Sequence, residues 1–186
     1  VSREDRMFRA GYLHLSYSIP QEKIQSYKIK YPNQIHIDPY FGTYFYRLNT
    51  IKEPFTDPRV RKALSLAINR NDIVTKVVKG GQLEAFSFTP PDMEGYYPTT
   101  ELEFNPKKAR NLLKDSGYTS ENFPVVELLY NTSEGHQKVA QAIQQMWKVN
   151  LGVDIILTNV DWKVYLSREQ TGDFNISRAG WIGDYP

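Results

Sequence analysis

Apolar residues recur with a helical period in several segments of the chain, and prolines and glycines mark where these segments begin and end. The clearest segment covers residues 55–70. Its apolar positions fall on one face of a helix: Val60, Ala63, Leu64, Ala67 and Ile68. Asp57 suits the N-cap and Pro58 suits the first helical position, so a helix is predicted to begin there.

The same signals divide the rest of the chain. Helices are predicted at 2–11, 20–31, 71–81, 105–117, 134–152 and 161–172. Alternating patterns predict strands at 12–20, within 33–50, and at 125–130, 153–160 and 173–181. Pro39 and Gly42 interrupt the second of these, which favours a bend at 38–42, and residues 82–104 read as a loop. Strand and helix alternate from 125 onward, which predicts an α/β fold whose sheet is mostly parallel and flanked by helices.

Composition adds few constraints. The 186 residues are 40% hydrophobic and 24% charged, and 23 basic against 21 acidic residues give a net charge of +2. This balance contains no basic tract for nucleic acid and no polybasic membrane anchor. The chain has no cysteine and no apolar run approaching the ~20 residues of a membrane span. The 13 tyrosines are a high count, and tyrosine is enriched on surfaces that recognise ligands.

Catalytic and cofactor motifs are missing from the sequence. It has no nucleotide-binding glycine loop, no zinc-protease motif and no serine-hydrolase elbow, so neither an enzyme nor a cofactor is predicted. His14 and His36 alternate with apolar residues and are interpreted as ordinary strand histidines. A catalytic set of Ser133, Glu134 and His136 is disfavoured, because such close neighbours do not adopt the required geometry.

His136 nevertheless lies at an informative place, where the strand 125–130 ends and the next helix begins. In α/β folds ligands bind at this edge, and the first amides of a helix favour anions. A role in binding is one interpretation of His136, and a solvated histidine in the first helical turn is the other.

The stretch "RAGWIGDYP" at 178–186 combines a cation, an anion, an indole and two glycines. Two interpretations of Arg178 and Asp184 are open: an ordinary salt bridge between them, or a contact of each with an opposite charge of a ligand. Glycines at 180 and 183 permit close approach of a backbone, and Trp181 supplies a rigid apolar wall. Fixed charges of both signs beside aromatic walls suit a zwitterion such as a free peptide.

Three stretches carry a resemblance to a known family. They are "TYFYRLNTIKEPFTDPRVRKALSLAINR" preceded by "IDPYF", then "YNTSEGHQKVAQAIQQMWKVNLGVDIILTNVDWKVYL", and finally "GDFNISRAGWIGDYP". In this order they resemble the oligopeptide-binding proteins of ABC importers, which belong to family 5 of the extracellular solute-binding proteins. The resemblance covers nearly the whole chain.

The resemblance implies a two-lobed periplasmic-binding-protein-like fold that closes on an oligopeptide and delivers it to the permease subunits of an ABC transporter. Members are longer, so the chain is expected to be an internal fragment. Residues 1–41 would end the first lobe and form the crossover, and 42–186 would be a partial second lobe. The expected location is the periplasm or the outer face of the cell membrane. Membrane contact would come only through the permease or a lipid anchor outside this chain.

The resemblance also implies roles for individual residues of the last strand. Asp184 matches the aspartate that pairs with the peptide's α-amino group. Arg178 and His136 match positions that receive the peptide carboxylate. Gly180 and Trp181 belong to a stretch that binds the peptide backbone, and Trp181 also matches a pocket wall.

Further positions follow from the same resemblance. Trp162 matches an aromatic pocket wall, and Tyr40 and Tyr17 match tyrosines near the cleft between lobes. At Phe45 some relatives carry tyrosine, and at Arg47 they carry a glutamate that faces the pocket. These two departures are expected to change the preferred side chain or peptide length.

Other functions remain open from the sequence. The alternative cargoes are a nickel chelate, haem or a glycan, and the alternative role of the parent protein is that of a peptide-sensing receptor. A peptidase is disfavoured, because no nucleophile, base or metal set is recognisable. Since most of the opposing lobe is missing, this chain alone is expected to bind peptide weakly or not at all.

Overall fold

A computed structural model of the chain describes residues 2–17, 19–38, 40–90 and 102–184. The helices are α1 Ser2–Arg9, α2 Ile24–Lys30, α3 Pro58–Leu66, α4 Arg70–Asp72, α5 Pro106–Asp115, α6 Glu134–Leu151 and α7 Trp162–Thr171. A 3₁₀ turn, Gln21–Lys23, leads into α2, and a π-helical segment, Ile73–Val78, continues α4. The strands are β1 Gly42–Leu48, β2 Val126–Asn131, β3 Ile155–Val160 and β4 Ile176–Ile182.

The four strands form one mixed sheet in the order β1-β4-β2-β3. β2 is parallel to both β3 and β4, and β1 is antiparallel to β4. Two of the three strand pairs are therefore parallel, and the predicted α/β fold with a mostly parallel sheet flanked by helices is confirmed. The antiparallel β1 is the departure from an all-parallel arrangement.

Helices α6 and α7 lie on opposite faces of the sheet. The register of β1 with β4 places even-numbered side chains of both strands on one face and odd-numbered ones on the other. His136 of α6 contacts Tyr44 on the even face, whereas Glu169 of α7 contacts Arg47 on the odd face. The chain therefore moves from β2 to β3 across one face and returns to β4 across the other.

The main core lies on the α6 side. Trp147 is buried, and its Nε1 donates a hydrogen bond of 2.9 Å to the carbonyl of Leu64 in α3. The core cluster also takes in apolar side chains from α5 and from the central strands: Leu113, Leu128, Val126 and Ile176. Among the described residues, the cluster draws only on positions from 46 onward.

Helix starts are fixed by side-chain caps at the predicted places. The Asp57 carboxylate accepts from the backbone N–H of Arg59, and Pro58 is the first helical residue of α3. Asn105 caps α5 in the same way, and Asp161 caps α7 through two backbone N–H groups. Because each cap satisfies helix amides that would otherwise lack partners, these starts are encoded locally.

One strand prediction is wrong, and a second is confirmed only in part. Residues 12–17, 19 and 20 form no strand, and within 33–50 only Gly42–Leu48 does. His14 and His36 are therefore exposed loop residues and not strand histidines. Alternation alone does not make a strand, because the ladder needs a partner and none of the described strands pairs with these segments.

The N-terminal segment is organised around a buried carboxylate. Asp5 is 4% exposed and accepts from Lys23 Nζ at 2.5 Å and from Tyr27 Oη at 2.6 Å. Arg9 lies 3.3 Å from the same carboxylate. These contacts connect α1 to α2, while burial raises the pKa of Tyr27.

Within the described ranges, no helix is both long and apolar enough to cross a membrane.

The buried indole provides the first test. Trp147→Phe should lower the free energy of unfolding by about 2–4 kcal/mol, since it leaves a cavity and removes the donor to the Leu64 carbonyl. Trp162→Phe is the matched control, because Trp162 is 55% exposed, and it should change stability by less than about 0.5 kcal/mol. Urea unfolding of both variants measures the difference. Equal losses would contradict the assigned core.

Candidate functional site

The candidate site begins at an incomplete strand pairing. β4 pairs with β2 only at Leu128↔Ile176 and Leu129↔Ser177, yet β4 continues to Ile182. One edge of residues 178–182 therefore has no partner among the described strands. This edge lies at the carboxyl ends of the parallel strands β2 and β4, and open α/β sheets bind ligands outside the carboxyl ends of their strands.

Arg178 lies beside this edge on the even face. Its Nη1 donates to Asn131 Oδ1 at 3.3 Å, and its Cζ lies 5.1 Å from the centre of the Tyr44 ring. Its Nε is buried and has no hydrogen-bond partner. No described carboxylate lies within 4.0 Å of Arg178, so the alternative of a salt bridge with Asp184 is wrong. The guanidinium is therefore a partly buried cation without a counter-ion among the described residues.

His136 shares this face with Arg178. It occupies the first turn of α6, and its Nδ1 lies 3.4 Å from Tyr44 Oη. Burial, and then the nearby Arg178 charge, lower the pKa of His136 to about 4. Burial also raises the pKa of Tyr44 and of Tyr46. Near neutral pH the cluster consequently carries the single positive charge of Arg178.

Trp181 and Asp184 lie at a cavity of about 270 Å³ at the end of β4. Phe88 forms part of its wall, and the Thr43 hydroxyl donates to the Phe88 carbonyl at 2.6 Å, which attaches the loop to β1. Asp184 is exposed and has no described cation within 4.0 Å. The cavity thus combines an aromatic wall with a free carboxylate.

The two glycines of this stretch differ in their surroundings. A Cβ on Gly183 would lie 1.8 Å from Phe41 Cε1, so any side chain there would force the Phe41 ring to move. A Cβ on Gly180 would meet its nearest neighbour, the Thr43 carbonyl oxygen, at 3.6 Å, which is an ordinary contact. Gly183 therefore allows the Phe41 ring to pack against the backbone, whereas a Cβ at Gly180 would make only ordinary contacts.

Phe45, Arg47 and Trp162 are associated with the odd face. The Phe45 ring packs edge-on against Phe88 with 5.0 Å between centroids. Arg47 forms an ion pair with Glu169 of α7. Trp162 is exposed and stacks on Tyr165 with centroids 5.5 Å apart. Arg178 and Trp181 therefore belong to opposite faces of β4 and do not form one pocket.

The two remaining predicted tyrosines lie outside these clusters. Tyr40 is 69% exposed, and its ring lies against the backbone of Gly42 at the edge of the cavity. Tyr17 is 92% exposed, and no hydrogen bond or ring contact among the described residues joins it to the other predicted positions.

Sequence reasoning missed three residues that the structure places at the site: Tyr44, Asn131 and Glu169. For Tyr44 a signal was present in the sequence. The alternation of side chains along a strand puts positions 44 and 46 on the face opposite Phe45. The contact of Asn131 with Arg178, and that of Glu169 with Arg47, join segments far apart in the chain, and local pattern does not reveal them.

Comparison with known proteins assigns the family. The family model described as bacterial extracellular solute-binding proteins, family 5 Middle, matches residues 2–186. The chain belongs to this family.

Several relatives of this family 5 chain are named for the peptides they bind. The periplasmic oligopeptide-binding protein OppA of Salmonella typhimurium is 40% identical over 186 residues, covering 96% of this chain and 34% of the relative. The solved murein tripeptide binding protein MppA of Escherichia coli superposes with a TM-score of 0.88 at 40% identity, covering 97% of this chain and 37% of that one. The solved structure of Haemophilus influenzae OppA in complex with RPPGFSPFR superposes with a TM-score of 0.86 at 36% identity, covering 99% of this chain and 38% of that one. The chain thus spans about a third of the length of the curated relatives it matches.

The contrast between the glycines in this family 5 chain is testable. Gly183→Ala should displace the Phe41 ring and lower the free energy of unfolding by about 1–3 kcal/mol. Gly180→Ala makes the same chemical change where space exists, so its effect should be clearly smaller. Thermal or urea unfolding distinguishes the variants. Comparable losses would show that Phe41 does not restrict position 183.

The His136 pKa gives a prediction about pH. Because the folded-state pKa lies near 4, below the ordinary 6.5, the unfolded chain binds the proton more readily. The contribution of His136 to stability is therefore complete above pH 6.5 and is lost as the pH falls toward 4. Arg178→Gln should raise the pKa of His136 in an NMR titration, since it removes a neighbouring cation. Arg110→Gln, the loss of an exposed arginine elsewhere, should leave that pKa unchanged, and an equal rise would contradict the assignment.

Proposed function

We propose that this chain is part of a solute-binding protein that captures oligopeptides between two lobes and delivers them to the permease subunits of an ABC importer. The observation that carries the proposal is the Arg178 guanidinium, which is partly buried beside an open strand edge and has no carboxylate partner in the part of the chain that the structure describes. A buried charge without a counter-ion is unfavourable, so the site favours an anionic ligand group. The relatives are named as oligopeptide-binding and murein tripeptide binding proteins, and these names support the same ligand class.

The cation Arg178 and the anion Asp184 together also indicate the ligand class. Arg178 and Asp184 are six residues apart, a distance of at most about 20 Å along the chain. An extended peptide of about five residues covers such a distance. Its free amino group and free carboxylate are complementary to Asp184 and Arg178. A peptide lying along the edge of β4 would direct alternate side chains to the two faces of the sheet, where the aromatic residues lie.

Each predicted site residue receives a role under this proposal. Asp184 binds the α-amino group, and Arg178, assisted by His136, binds the carboxylate. The open backbone at Gly180 pairs with the peptide main chain, as in strand addition. Trp181, Trp162 and Phe45 contact side chains, and Arg47 lies at the end of their surface. Tyr40 and Tyr17 face the space between lobes.

The lobe boundary proposed for residues 1–41 and 42–186 is in keeping with the packing. The main core cluster draws on positions from 46 onward among the described residues, while α1 and α2 are held together by the Asp5 contacts. Closure of two lobes over the peptide would remove water from both charged ends and strengthen their ion pairs. We place the protein in the periplasm or at the outer face of the cell membrane, as the names of its relatives suggest.

The proposal is tested on the full-length gene product that contains this chain. Native mass spectrometry of the protein as purified should show a series of added masses in the range of short peptides. A single added mass of non-peptide composition would contradict the proposal and favour another cargo.

Asp184→Asn tests the anchoring role. The variant should weaken binding of free peptides by roughly 10- to 150-fold, the equivalent of about 1.5–3 kcal/mol for a charge-assisted hydrogen bond. N-acetylated peptides of the same sequence lack the ammonium and should be affected much less. Calorimetric titration of both series compares the two effects. Equal losses would refute the role of Asp184 in binding the amino group.

A further inference from the structure

Arg47 and Glu169 form an ion pair of unequal accessibility. The Arg47 side chain is 45% exposed, whereas that of Glu169 is 11% exposed. One Glu169 oxygen contacts the guanidinium, and the other, Oε1, is buried without a partner. An arginine has five N–H donors, and Glu169 is the only described carboxylate in contact with this one. A ligand would therefore meet a cation with free donors and not the carboxylate behind it.

The exposed guanidinium adjoins a group of aromatic side chains. Its Cζ lies 5.7 Å from the centre of the Phe45 ring, and Phe45 in turn packs against Phe88. Phe88 lines the cavity that also contains Trp181 and Asp184. Arg47 thus lies at one end of an aromatic surface, and the free carboxylate of Asp184 lies at the other.

We propose that Arg47 determines the charge preference of the protein for one ligand side chain, favouring an acidic residue over a basic one. This inference rests on the proposed peptide-binding function. A carboxylate reaching along the aromatic surface accepts hydrogen bonds from the unused Arg47 donors. A lysine or arginine side chain meets a like charge, and the one described carboxylate in contact with Arg47 is already paired and shielded from it.

A purely structural role for Arg47 would make a different prediction. The Arg47–Glu169 contact joins β1 to α7, so its loss should lower stability in either case. Only a role in recognition changes the relative affinity for acidic and basic ligands. The ratio of two affinities in one variant is therefore the decisive quantity, because a general loss of stability affects both alike.

The experiment uses the full-length gene product and short alanine peptides in which one position carries Glu or Lys. Calorimetry gives the ratio of dissociation constants for each position. The unmodified protein should favour Glu at one position by about tenfold or more. Arg47→Gln should reduce that ratio to within about twofold, and Arg47→Glu should reverse it. Glu169→Gln leaves the Arg47 charge uncompensated and should increase the preference for Glu, which provides a test if Arg47 variants do not fold.

Lys148→Gln is the matched control. It removes one positive charge and an ion pair with Asp154 at a distant surface, so the ratio should not change. Equal affinity for Glu and Lys peptides at every position would overturn the inference while leaving peptide binding intact. An unchanged preference in Arg47→Gln or Glu169→Gln would also overturn it. If peptides of neither series bind, the proposed function fails together with the inference.

Discussion

The pairing of β1 with β4 is the interaction on which the site depends. Its register places Tyr44, which contacts Arg178, on the same face as Arg178, and it places Phe45 and Arg47 on the other face with Trp181. A shift of one residue would exchange the faces of every side chain in β1. On its opposite edge β4 pairs with β2 only as far as Ser177, so the backbone of residues 178–182 has no partner there among the described strands.

The electrostatics of the site follow from this arrangement. Arg178 is held by the Tyr44 ring and by a single amide oxygen, and neither neutralises its charge. A cation–π contact contributes only about 0.5–2 kcal/mol, less than the desolvation of a guanidinium costs. His136 does not add a second charge near neutral pH, because burial and Arg178 lower its pKa to about 4. The uncompensated charge of Arg178 therefore favours the binding of one anionic group, and it lies next to a backbone edge suited to an extended chain.

Local signals in the sequence predicted most of the elements but not their assembly. Asp57, Asn105 and Asp161 cap helices through neighbouring amides, so the starts of α3, α5 and α7 could be read from short segments. The alternating residues 12–20 gave a wrong strand, since a strand needs a partner that local pattern does not specify. The pairing of β1 with β4 joins positions about 130 residues apart, and its register decides which site residues share a face.

For the candidate site, too, the sequence identified individual residues but not their arrangement in space. Arg178, Asp184 and His136 were recognisable from their chemistry and from the family motifs, yet the sequence left a salt bridge between the first two open. The structure excludes that pair and places Arg178 and Trp181 on opposite faces of β4. Tyr44 and Glu169 became identifiable as neighbours of the site only in three dimensions, because their partners come from distant elements.

The central claim is that a free peptide lies along the open edge of β4 between two fixed charges. A crystal structure of the full-length protein with a bound peptide tests it most directly. The account predicts main-chain hydrogen bonds between the peptide and residues 178–182, with the peptide carboxylate near Arg178 and the amino group near Asp184. A peptide bound away from this edge, or one that leaves Arg178 without an anion, would contradict the account.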